Sequence, residues 1–111
     1  MKTVREFIAA DRYLFDTEEC TPAAGWAQVD TEQDAWYFGI WANPETLEIV
    51  TYCEGDVTRD HADSAGEFAQ ALRDMESRVR GNGGWLRIDP GFSPNIIGAK
   101  FRSMGLGDLI H

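Results

Sequence analysis

The sequence predicts an α+β domain: a mainly antiparallel sheet of about four to five strands with helices packed on one face. Three observations lead there. Residues 35–54 hold two aromatic and β-branched runs around Asn43-Pro44. Residues 64–80 carry an amphipathic stripe bounded by helix start and stop signals. Consecutive strand-like runs are joined by short turns, not by helices, which favours antiparallel pairing. The expected order is α-β-β-β-β-α-β-α. One domain is expected, because 111 residues are too few for two separate cores, and 43% hydrophobic residues suffice for one.

Thr3-x-x-Glu6 has the form of a capping box ahead of Val4, Phe7 and Ile8, which predicts a short helix over 4–11. Arg12 to Asp16 and Gly25 to Asp30 read as short strands, with Thr21 to Gly25 turning between them. Ala35–Ala42 and Thr46–Glu54 form the expected hairpin. Asn43 and Pro44 suit the first two positions of a type I turn, and a left-handed Thr46 is disfavoured, so the expected register sets Ala42 opposite Leu47. One face then carries Trp36, Phe38, Ile40, Leu47, Ile49, Thr51 and Cys53 and should meet the helices. The other carries Tyr37, Gly39, Trp41, Glu48, Val50 and Tyr52, either covered by other chain or left as a partly exposed aromatic surface.

Ser64-x-x-Glu67 is a second capping box, and Phe68, Leu72, Met75 and Val79 recur at helical spacing. Gly81 is the expected stop, with Arg78 and Arg80 suiting the negative end of the helix dipole. Trp85 to Asp89 alternates as a strand does. Ser93-Pro94 then opens a last helix lined by Ile97, Phe101 and Met104, which Gly105 closes and onto which Leu106 folds back.

The net charge is −9, and its placement is uneven. Between Arg12 and Arg59 there is no lysine or arginine, while Asp16, Glu18, Glu19, Asp30, Glu32, Asp34, Glu45, Glu48, Glu54 and Asp56 supply ten acids. From Arg59 onward seven bases balance seven acids. Such a surface repels phosphate backbones and anionic lipid, so neither direct nucleic-acid nor membrane binding is expected. No apolar run approaches the roughly 20 residues that cross a bilayer. Met1 to Glu6 carries an acid early and no signal-like apolar stretch, which makes the cytoplasm the expected location. Cys20 and Cys53 are too few for a disulfide scaffold or a structural zinc site and read as reduced thiols.

Candidate chemistry is sparse. Asp56, Asp60, His61 and Asp63 are candidate metal ligands by type, though they lack calcium-loop spacing and a second histidine. Cys53 and His61 are a candidate thiol–imidazole pair, set against a cysteine on the core face of its strand. Gly81 to Gly84 follows a helix and precedes no Lys-Ser/Thr, so it is not a phosphate loop. Glu18-Glu19 and the trio Asp30, Glu32 and Asp34 offer paired carboxylates, and Trp26, Trp36 and Trp41 offer sugar-stacking rings, but aromatics on strands usually build core. No cofactor is expected, and a catalytic role is the less favoured reading.

The favoured expectation is a small acidic protein-binding module for a basic partner. Tyr37, Trp41 and Tyr52 would be its anchors, and Asp30, Glu32, Asp34, Glu48 and Glu54 its charges. In composition the chain resembles small acidic inhibitors carried by phages and plasmids, which implies a mimic of nucleic-acid phosphate acting on a nucleic-acid-binding protein. The alternatives are a small enzyme or metal protein using the Asp56/Asp60/His61/Asp63 group, and an assembly subunit that self-associates through the second hairpin face.

Overall fold

The computed structural model describes residues 2–5, 20–21, 23–31, 38–53, 56–91 and 94–110. Strands β1 (Lys2–Thr3) and β2 (Cys20–Thr21) pair in parallel. The main sheet contains β3 (Ala27–Thr31), β4 (Phe38–Asn43), β5 (Glu48–Cys53), β6 (Asp56–His61) and β7 (Leu86–Asp89), in the order β6-β5-β4-β3-β7. Every neighbouring pair in it is antiparallel. Helix α1 (Ala65–Gly81) carries the chain from one edge strand to the other, and α2 (Pro94–Ser103) and a 3-10 turn (Gly107–Leu109) follow β7. This is the predicted α+β class. Val4 and Arg5 are helical; the rest of the predicted first helix and the predicted strand over 12–16 lie outside the described residues.

The hairpin register differs from the expected one by two residues. Ala42 faces Ile49, and Asn43 faces Glu48 across the closing pair. Asn43 is the cause. Its Oδ1 accepts the amides of Glu45 and Thr46 at 2.9 and 3.1 Å, and its carbonyl accepts that of Leu47 at 2.8 Å. These bonds extend β4 by one residue and bring the chain back through Leu47 at φ 62°. Because the slip is even, each side chain keeps its face.

Among the described residues each side chain thus keeps its predicted face, and each face carries a buried core. Ala27, Val29, Ile40, Ala42, Ile49, Leu86 and Ile88 pack with Phe68 and Leu72 of α1, Ile97 and Phe101 of α2, and Leu106 and Leu109. On the opposite face Val4, Trp26, Trp41, Val50 and Tyr52 form a second core.

The helix ends follow local chemistry. Ser64 Oγ accepts the Glu67 amide at 3.2 Å, and Glu67 Oε2 accepts that of Asp63 at 3.1 Å. At the C-terminus Gly81 stays helical, and the stop is Gly83 at φ 84°. The Gly83 and Gly84 amides donate to the Arg80 and Val79 carbonyls, a Schellman motif. In the buried stripe Glu76 joins Phe68, Leu72 and Val79, while Met75 packs at its margin. Glu76 tolerates this because Arg80 and Arg73 stand 3.4 and 3.8 Å from its carboxylate.

Helix α2 ends in a second Schellman motif at Gly105, φ 79°, with the Leu106 amide donating to the Phe101 carbonyl. A β-carbon at Gly105 meets nothing within 4 Å, so only the backbone resists one. Gly105→Ala is expected to lower stability by about 1 kcal/mol, read from the urea midpoint.

Arg73 ties this tail to α1. Its guanidinium donates to both Asp108 carboxylate oxygens, at 3.0 and 2.6 Å, and to the Gly105 carbonyl at 2.8 Å. The Arg73 hydrogen bond holds the Asp108 carboxyl below its ordinary value, and the same bond raises Arg73. A carboxyl lowered by folding stabilises above its unfolded pKa, about 4, and the gain disappears as pH falls through the lower folded value. Asp108 is 63% exposed, so solvent screening limits the gain to about 0.5 kcal/mol. Asp108→Asn should be less stable than wild type by that amount at neutral pH, and the gap should close in acid. A gap constant with pH would reject the charge pairing.

Candidate functional site

The candidate metal ligands do not converge. Asp60 and His61 are successive residues of β6, so their side chains point to opposite faces of the sheet. Asp56 and His61 end the same strand, about 17 Å apart along it. Among the described residues no three His, Cys, Asp or Glu side chains are grouped to hold a metal ion. The Cys53–His61 pair is separated in the same way: Cys53 faces Asp56 at one end of the β5–β6 ladder, and His61 faces Glu48 at the other.

Two of the three expected aromatic anchors, Trp41 and Tyr52, are core. Trp41 is 0% and Tyr52 4% exposed beneath Val4 and Trp26. This is a correction for Trp41 and Tyr52 as partner-binding residues. It also removes the central surface through which the second hairpin face was to self-associate, and it makes Trp26 and Trp41 packing residues, not a sugar platform. Tyr37, Trp36, Glu32, Asp34 and Glu54 lie outside the described residues. Asp30 is half-buried opposite Arg87. Glu48 is half-buried opposite His61.

What the fold does gather is charge at one end. The Ala62 amide donates to the Leu47 carbonyl at 2.9 Å, joining the β4–β5 turn to the β6–α1 junction. Glu45 of the turn and Asp60, Asp63 and Glu67 of the junction thereby belong to the same end of the fold, while Glu48, opposite His61, stands on the other sheet face from Asp60. Glu45, Asp60, Asp63 and Glu67 are exposed. Glu45 pairs with Lys100 of α2, and Arg59 and His61 flank the group on the other sheet face. The positive end of the α1 dipole lies beneath Asp63 and Glu67 and favours carboxylates there. At the far end of α1, about 25 Å away by helical rise, stand Arg78 and Arg80, and beyond them exposed Trp85 with the Arg87 guanidinium 4.2 Å over its ring. Among the described residues the two ends of α1 thus differ in charge, acidic at the N-terminus and basic at the C-terminus.

Sequence reasoning missed this pole because Asp60, Asp63 and Glu67 belong to the half of the chain whose charges balance. It missed Trp85 as the exposed ring because strand alternation alone does not show which strand lies at a sheet edge. No protein family, curated protein or solved structure matches the chain. No helix among the described residues is long and apolar enough to cross a membrane.

Proposed function

We propose that the chain is a small acidic protein-binding module that presents the α1 N-terminal pole to a basic protein partner. The observation that carries this reading is the joining of the β4–β5 turn to the β6–α1 junction, which puts Glu45, Asp60, Asp63 and Glu67 at one end of the fold, in a chain of net charge −9. Clustered like charge raises the encounter rate with an opposite surface and orients the approach, more than it adds affinity. The anchoring role expected of Trp41 and Tyr52 passes to groups at the pole itself, since those rings are buried. The extended form of the reading, a protein that occupies the phosphate-binding surface of a nucleic-acid-binding protein, rests on the same charge.

The test is salt-dependent capture of basic proteins by three forms of the chain. Wild type should retain a partner at low salt and lose it at high salt. The pair Asp60→Lys and Asp63→Lys should abolish capture. The pair Asp74→Lys and Asp89→Lys, exposed residues of mid-α1 and β7 with the same change in net charge, should weaken it only slightly. Equal losses for both variants would show that total charge alone matters, and capture indifferent to salt would sink the reading.

A further inference from the structure

We infer that the outer edge of β6 is a strand-addition site for an extended, lysine- or arginine-bearing segment of the basic partner, an inference that rests on the reading above. The two sheet edges differ. β7 has four residues, and Ile110 runs alongside it in a parallel bridge to Ile88. β6 has six, stands at the end of the strand order among the described residues, and has Thr58, Arg59, Asp60 and His61 all exposed. The bond from the Ala62 amide to the Leu47 carbonyl sets the phase of the β5–β6 ladder. Bonded pairs then recur at Asp60–Ile49 and Thr58–Thr51, so Val57, Arg59 and His61 turn their N–H and C=O groups outward. An added strand takes its main-chain bonds from these.

Charge selects the occupant. A second copy of the chain is a poor one. Twofold antiparallel pairing must match outward residues, and its registers centred on Arg59 and on Asp60 set Arg59 against Arg59 or Asp60 against Asp60. Like charges directly opposite are destabilising, so the edge is guarded against itself. A strand with a basic residue opposite Asp60 meets the reverse situation, with Asp63 and Glu67 just beyond on the same junction.

The probe is a short synthetic peptide alternating lysine and valine, with a twin methylated on alternate backbone nitrogens. Arg59→Pro removes an outward N–H without touching the ladder, and Arg59→Ala is its control. The expected result is salt-sensitive binding that slows amide exchange at Val57, Arg59 and His61. Arg59→Pro and the methylated peptide should each weaken it about tenfold, roughly the worth of one or two hydrogen bonds, while Arg59→Ala should leave it within about twofold. Binding indifferent to both changes would overturn the edge site and leave the acidic pole standing. No binding at low salt would overturn the edge site, and the capture experiment above would then decide the pole separately. If Arg59→Pro fails to fold, the methylated peptide and the exchange pattern still distinguish these outcomes.

Discussion

Trp41→Ala should lower unfolding free energy by about 3–5 kcal/mol, a large share of the roughly 5–15 kcal/mol available to a domain of this size. Trp41 is 0% exposed at the centre of β4, with Val50 on the neighbouring strand beside it and Trp26 and Val4 in the same cluster. Its truncation removes the transfer energy of a large ring and leaves a cavity that two strands of a sheet cannot close. The measurement is equilibrium urea unfolding, with Trp41→Phe as a companion that should lose clearly less. This result also separates two roles for the ring. A surface anchor would cost binding and spare stability, so a variant of wild-type stability would mean that Trp41 is not covered.

The same ring shows how far the sequence was legible. Periodicity placed Trp41, Val50 and Tyr52 on one face and Ile40, Ala42 and Ile49 on the other, and that division holds. The cover of the first face was not legible. It comes from Val4 and Trp26, distant in the chain, and no local pattern announces a contact of that separation. Strand β6 was missed for a related reason. Asp-Val-Thr-Arg-Asp-His has no hydrophobic alternation, because an edge strand with exposed side chains does not need one; the signal on offer was Gly55 between two runs holding β-branched residues. Read as a loop, the segment suggested a metal group, and the two-residue period of a strand is what scatters it. Helix α1 was legible almost to the residue, because capping and stripe are both local. The exception, buried Glu76, depends on two arginines within a turn of it. The acidic pole was half legible: counting along the chain found Glu45, but only the β4–β5 turn meeting the β6–α1 junction puts Asp60, Asp63 and Glu67 at the same end of the fold.

The helix-side core makes the other large prediction. Phe101 and Phe68 are both 0% exposed and stack with ring centroids 6.2 Å apart at 27°. Phe101 sits in the last turn of α2, and its carbonyl accepts the Leu106 amide, so one residue packs two helices and anchors the returning tail. Phe101→Ala should lose about 3–5 kcal/mol, and Phe101→Leu about 1–1.5, since most of the volume is kept. Phe68→Ala should cost as much as Phe101→Ala. The double variant should lose less than the sum by about 0.5–1.5 kcal/mol, the part that belongs to the ring pair. Strict additivity would mean the rings act independently, each against the sheet. The sheet would then dock α1 and α2 separately, and the Arg73 bonds to Asp108 and Gly105 would be left as the link from α1 to the tail that follows α2.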